Sequence, residues 1–288
     1  MNVKKTVEAI KSLEIQGARN VTMAAVKAAV EELKTGGVEK AKKAVEELIG
    51  ARPTEPMMRN YLYQFVKEMG EDRKKAEKFY ERVEEEMAEN LEKIVRYGVN
   101  TLEGFNTVLT HCHSSTVTSI LKKAGVSVIC TETRPKWQGR KTAKELAEAG
   151  VKTTLIVDFA IKRVMKEVDA VLVGADAVSA RGNLINKVGT EIIAFVASEY
   201  NVPFYSAFES SKFDPATIWG THEAIEKREE GEVVGDDKEL IKLVRTGKLF
   251  VRNPAFGITY AKYVSAYITE LGVLKPEVFV TKCMERYL

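Results

Sequence analysis

Two stretches decide how this chain reads: Thr107-Val108-Leu109-Thr110-His111-Cys112-His113-Ser114-Ser115 and Ala170-Val171-Leu172-Val173-Gly174-Ala175-Asp176. Each is a short apolar run that ends on a reactive side chain, followed by residues that open a turn or a helix. An open α/β sheet carries its ligand crevice outside the carboxyl ends of its strands. A thiol at Cys112 and a carboxyl at Asp176 meeting there would make a base and an acid.

Outward from these stretches the same texture continues. Short β-branched runs at Thr107–Thr110, Val126–Cys130, Thr153–Val157, Ala170–Val173 and Pro203–Ser206 alternate with helical patterns at Thr116–Ala124, Thr142–Ala149, Asp158–Val168 and Thr190–Tyr200. Such alternation predicts a parallel sheet with crossover helices. Ala177–Ser179 and Leu184–Asn186 flank Ala180-Arg181-Gly182-Asn183 and predict a small hairpin. Trp219 to Asp237 is acidic and Gly-punctuated and reads as a loop or lid. A last strand is expected near Leu249–Val251, and a final helix from Pro276. Residues 1–100 are different, with helical spacing throughout: Val3–Leu13, Val21–Leu33, Val38–Ile49, Met57–Met69 and a long Glu71–Tyr97, with Gly98 in the place of a C′ glycine. The fold class is therefore α/β, an amino-terminal all-helical domain over 1–100 followed by a sheet domain over 101–288.

Composition sets bounds on function. Of 288 residues, 45% are hydrophobic and 30% charged, enough apolar mass for a real core. A net charge of only +3 argues against a nucleic-acid or acidic-membrane partner. No apolar run reaches the roughly 20 residues of a bilayer span, and no signal peptide is evident. Three scattered cysteines do not form a disulfide framework, so a cytoplasmic protein with reduced thiols is expected.

The reactive groups each have a plain alternative. Cys112 sits before a helix start, where free N–H groups, the dipole and protonated flanking histidines would favour the thiolate; the alternative is an inert buried cysteine. Cys130 reads as core and Cys283 carries no signal. His111 and His113 invite a metal, but extended backbone sends alternate side chains to opposite faces, so no metal site is expected. Asp176 after a dry strand suits a proton donor, against the alternative of a turn cap, which fits Asp158 better. Gly17-Ala18-Arg19, Arg52, Arg134 with Gln138, Asn186-Lys187 and Lys212 lie at loops or strand ends suited to phosphate. There is neither GxGxxG nor a Walker loop, so no nucleotide cofactor is expected.

Taken together, Thr110-His111-Cys112-His113-Ser114, Thr131 to Gly139 (TETRPKWQG), Gly174-Ala175-Asp176, Ile185-Asn186-Lys187 with Gly189-Thr190, and Arg252-Asn253-Pro254-Ala255-Phe256 resemble one family. It holds ribose-1,5-bisphosphate isomerases, methylthioribose-1-phosphate isomerases and the regulatory subunits of translation initiation factor 2B. The strings look most like the archaeal ribose-1,5-bisphosphate isomerases. The resemblance implies a Rossmann-like doubly wound carboxyl domain, a dimer or hexamer, and no metal or cofactor. It also implies catalysis by Cys112 and Asp176, and a sugar phosphate held by Gly17, Ala18, Arg52, Arg134, Gln138, Asn186, Lys187 and Lys212. The expected reaction is aldose–ketose isomerisation of a C1-phosphorylated pentose, ribose 1,5-bisphosphate to ribulose 1,5-bisphosphate in nucleoside (AMP) salvage. The alternatives are a regulatory subunit that binds a nucleotide or sugar phosphate without turnover, and a methylthioribose-1-phosphate isomerase. Two departures stand out. Gln16 replaces the usual arginine, with Arg19 nearby as the candidate compensation, and Gly257 with Thr259-Tyr260 replaces an aspartate and a rigid Thr-Pro-Pro turn.

Overall fold

A computed structural model describes residues 2–220 and 228–287. Helices α1 (Val3–Lys11), α2 (Ala18–Gly36), α3 (Val38–Ala51), α4 (Pro56–Glu71), the single turn α5 (Arg73–Ala76) and α6 (Phe79–Thr101) come first. Their apolar faces build one core, with Val26, Leu33, Leu48, Met58, Phe65 and Phe79 all buried. The continuous helix expected over Glu71–Tyr97 is instead broken. Asp72 ends α4, and its carboxylate accepts hydrogen bonds from the Lys74 and Lys75 N–H groups at 3.0 and 3.2 Å, so the chain restarts there as a new turn.

After α6 follow β1 (Thr107–Thr110), α7 (Ser115–Leu121), β2 (Ser127–Thr131), α8 (Gln138–Glu148), β3 (Thr153–Ile156), α9 (Ile161–Val164), β4 (Ala170–Val173), β5 (Ala177–Ser179), β6 (Leu184–Lys187), α10 (Thr190–Glu199), β7 (Phe204–Ala207) and β8 (Phe213–Asp214). The chain closes with α11 (Gly231–Val234), α12 (Lys238–Arg245), β9 (Phe256–Thr259), β10 (Ala266–Thr269), β11 (Gly272–Leu274) and α13 (Pro276–Tyr287). Seven strands form one sheet in the order β11-β10-β7-β4-β1-β2-β3, parallel except for the β10–β11 edge. Helices cover both faces, giving two buried cores, one around Val171, Phe204 and Phe279, the other around Val108, Ile120 and Leu172. A small second sheet, β8-β5-β6-β9, carries the expected hairpin as β5–β6.

Three further expectations change. Leu249–Val251 is not a strand; the strand in that region is β9, which pairs antiparallel with β6. Asp158–Val168 forms only α9 between two short 3-10 turns, because the Asp158 carboxylate accepts the Thr133 and Arg134 N–H groups at 2.7 Å rather than capping its own helix. Gly98 lies inside α6, not past its end. A methyl there would come within 2.5 Å of the Ile120 side chain, so the glycine lets α6 and α7 touch. The stretch Trp219–Asp237, expected as a loop or lid, lies partly outside the described residues.

Candidate active site

The strand order explains where a ligand would sit. From β1 the chain steps one way through β2 and β3, then returns to place β4 on the other side of β1. The carboxyl edge between β1 and β4 is thus the topological switch point, where loops diverge and leave a crevice. Cys112 follows β1 and Asp176 follows β4, and the two strands are direct neighbours in register, Leu109 beside Val171. The loops are drawn closer still: a Cβ on Gly174 would lie 2.9 Å from that of Ser114.

Cys112 is held in the left-handed region, φ 67°, a conformation that costs a non-glycine residue on the order of 1 kcal/mol. A hydrogen-bond network fixes it there. Its N–H donates to Thr133 Oγ1 at 2.9 Å and its carbonyl accepts from Thr142 Oγ1 at 2.7 Å. His111 supports Thr133 from behind. Its Nε2 lies 3.0 Å from the Val188 carbonyl and so carries the proton; its Nδ1, 2.6 Å from Thr131 Oγ1, accepts. Thr131 Oγ1 lies 3.2 Å from Thr133 Oγ1, which completes the chain to the Cys112 backbone.

The electrostatics differ from expectation. Burial pushes the Cys112 thiol up to about 11; the Lys187 ammonium opposes this, while the Asp176 carboxylate adds to it. The residue as a whole is half-buried. Nor do the histidines help. Burial lowers the pKa of both His111 and His113, which keeps them neutral. They also diverge, His111 toward Thr131 and Val188, His113 toward Thr142 at 3.1 Å and Glu145 at 3.7 Å. Among the described residues no three His, Cys, Asp or Glu side chains cluster as metal ligands.

Cations gather beside the pair. Lys187 is buried and its ammonium sits 5.1 Å from the Phe256 ring centroid. Asn186 is buried and donates to Thr190 Oγ1 at 3.0 Å. Lys212 Nζ donates to the Ala175 carbonyl at 2.5 Å, so it reaches the loop that carries Asp176. Gly17 precedes α2 with φ 84°, Ala18 and Arg19 open that helix, and the Arg19 charge is felt by Glu209. Arg52 ends α3 within electrostatic reach of Glu55. Gln138 starts α8 with its Oε1 buried and unpartnered. Arg134 stands apart from these: it is exposed, stacked on Trp137 and donating to the Val233 carbonyl of α11 at 3.3 Å.

Three acidic residues here went unnoticed in the sequence. Glu55 and Glu209 are buried, and burial pushes each up to about 7. Glu55 faces Arg52, Lys212, Asp176 and Arg59. Its only sequence signal is position, an acid between the Arg52-Pro53-Thr54 turn and Pro56. Glu191 is the third. A Cβ on Gly257 would fall 2.0 Å from its carboxylate, so Glu191 fills from α10 the space opened by the missing aspartate, and its Oε2 accepts the Gly189 N–H at 3.1 Å. The carboxylate lost at 257 is thus returned by another element.

Comparison with known proteins places the chain in context. The model of the "Initiation factor 2 subunit family" matches residues 6–276. The chain is 42% identical to a ribose 1,5-bisphosphate isomerase of Methanocaldococcus jannaschii, over 96% of this chain and 92% of that one. Its fold is similar to the translation initiation factor eIF-2B of Pyrococcus horikoshii, with a TM-score of 0.82, 26% identity and coverage of 96% and 98%. It is also similar to the 5-methylthioribose 1-phosphate isomerase of the same organism, with a TM-score of 0.78, 27% identity and coverage of 99% and 88%.

Proposed function

The chain belongs to the initiation factor 2 subunit family, and on that premise we propose that it is an aldose–ketose isomerase converting ribose 1,5-bisphosphate to ribulose 1,5-bisphosphate. Support comes from the isomerase relative at 42% identity, and one structural observation carries the reading: Cys112 and Asp176 leave adjacent strand ends at the switch point, with Lys187 acting on the same sulfur.

A sugar phosphorylated at C1 cannot open its ring by mutarotation, because its anomeric oxygen is blocked. Asp176 gives a proton to the ring oxygen as the C1–O bond breaks. The Cys112 thiolate takes the proton from C2, leaving an enol phosphate with a C1=C2 double bond. The Cys112 thiol returns its proton to C1 as the O2 hydroxyl gives its own to Asp176, which yields the C2 ketone and restores both groups. The resting sulfur holds its proton, and the Lys187 ammonium beside it favours the thiolate that the step needs. Lys187, Lys212 and Arg52 hold phosphate and offset the charge that develops.

Incubation of the protein with ribose 1,5-bisphosphate, followed by detection of ribulose 1,5-bisphosphate, tests the reading. Binding without conversion would instead support a sensor subunit, and conversion only of methylthioribose 1-phosphate would move the substrate within the family. Self-association as a homodimer or homohexamer belongs to the same proposal. It is supported by apolar side chains exposed on and beyond the edge strand β3, Leu155, Val157 and the 97% exposed Phe159, and light scattering would check it.

A further inference from the structure

Glu55 is 3% exposed, and its Oε1 has no hydrogen-bond partner. An ionised carboxylate left in that state is costly. Cations face it from three elements: Arg52 at the end of α3, Arg59 of α4, and Lys212 before β8. Asp176, from the β4–β5 turn, adds like charge. Arg59 is already spent on Asp214 at 2.7 Å, and Lys212 is tied to the Ala175 carbonyl. Next to Lys212, the Ser211 hydroxyl is also buried without a partner, although Asn60 Nδ2 holds the Ser211 carbonyl at 2.8 Å. A carboxyl and a hydroxyl therefore stand desolvated and unsatisfied close to Arg52 and Lys212. Among the described residues no side chain satisfies them, which leaves room for a ligand to do so.

We propose that Glu55 makes anion binding in this pocket proton-linked: an oxyanion of the substrate settles beside Arg52 and Lys212 only when Glu55 is protonated, and the Glu55 O–H then donates to one of its oxygens. The proton comes from solvent as the anion enters, because two negative charges cannot share that desolvated corner. Burial that pushes Glu55 up to about 7, against the pull of the cations, is in keeping with this. The identity of the anion as a sugar phosphate rests on the isomerase reading; the proton linkage does not.

Sulfate is the probe, since it stays a dianion over the pH range where phosphate changes charge. Titration calorimetry on the full chain should show sulfate affinity falling about tenfold between pH 6 and pH 8. Buffers of different ionisation enthalpy should report uptake approaching one proton at pH 8. Glu55→Gln keeps a neutral donor of the same shape. It should bind sulfate equally at both pH values and about tenfold more tightly than the wild type at pH 8. Glu55→Ala should be flat too, if the glutamine variant fails to fold. Equal wild-type affinity at pH 6 and 8, or no sulfate binding, would overturn the proposal. Glu209 also faces Lys212 and is also pushed to about 7; pH dependence that survives in Glu55→Gln but vanishes in Glu209→Gln would equally overturn the assignment to Glu55. Should the isomerase reading fail instead, sulfate linkage would persist with no turnover of the bisphosphate.

Discussion

Cys112 concentrates what a single residue contributes. Its backbone is strained, its N–H and carbonyl are both tied, and its sulfur is desolvated against Lys187 and Asp176. A thiol held near 11 reacts only through its small thiolate fraction, which grows about tenfold per pH unit below that value. Alkylation of Cys112 by iodoacetamide, with Cys112→Ser as the blank, should therefore be slow at pH 7 and accelerate steadily to pH 10. A rate already level by pH 8 would mean that the sulfur is not buried in this way. Cys112→Ser and Asp176→Asn should each lower kcat by about 10² to 10⁴, the usual worth of a placed acid or base, with Tm unchanged. Near-normal turnover by either variant would remove that residue from the chemistry.

Among the elements, glycines set the distances on which the site depends. Gly139 brings α8 onto β2 so closely that a Cβ would lie 1.7 Å from the Thr131 carbonyl oxygen. Backbone cannot give way as a flexible side chain can, so Gly139→Ala should cost about 3 kcal/mol or more by urea unfolding. Gly257 is a softer case, since its neighbour is the end of the Glu191 side chain. Gly257→Asp should dislodge that carboxylate from the Gly189 N–H and destabilise by about 1 kcal/mol, and most of that loss should vanish in a Glu191→Ala background. Additive losses in the double variant would show that the two positions do not share one space. Element α6 has a different part. Phe79, Val83 and Met87 enter the helical core, while Ile94 and Val95 enter the core under the sheet, so one helix is built into both.

At the scale of the whole molecule, buried acids join the helical part to the sheet. Asn90 of α6 donates to Glu209 at 3.4 Å, and Glu209 lies near Glu270, which follows β10. Burial first, then Glu270, pushes Glu209 up to about 7, above its ordinary 4.5. The folded chain then binds more protons than the unfolded one between those values, so this group lowers stability as pH rises from about 4.5 through 7. Glu55 acts in the same direction. Glu209→Gln should accordingly raise Tm relative to the wild type at pH 8, with the gain shrinking toward pH 5. A variant equally shifted at both pH values would not fit a buried, proton-holding carboxyl.

Much of this molecule was legible in the sequence. Alternation of β-branched runs with helical spacing marked β1, β2, β3, β4 and β7 to within a residue or two, because strands covered on both faces are largely apolar. The motifs also placed Cys112 and Asp176 at strand ends. The strands β8, β10 and β11 were missed, since each follows another strand without the intervening α-helix whose alternation marked those five, and β9 was misplaced. What only the tertiary structure decided is adjacency. That β1 lies beside β4, that Glu55 comes up under Lys212 from the helical part, and that Glu191 replaces a carboxylate missing at 257 all depend on contacts between residues far apart in the chain. Local pattern fixes which face of an element is buried, and the packing of several elements together fixes what that face meets.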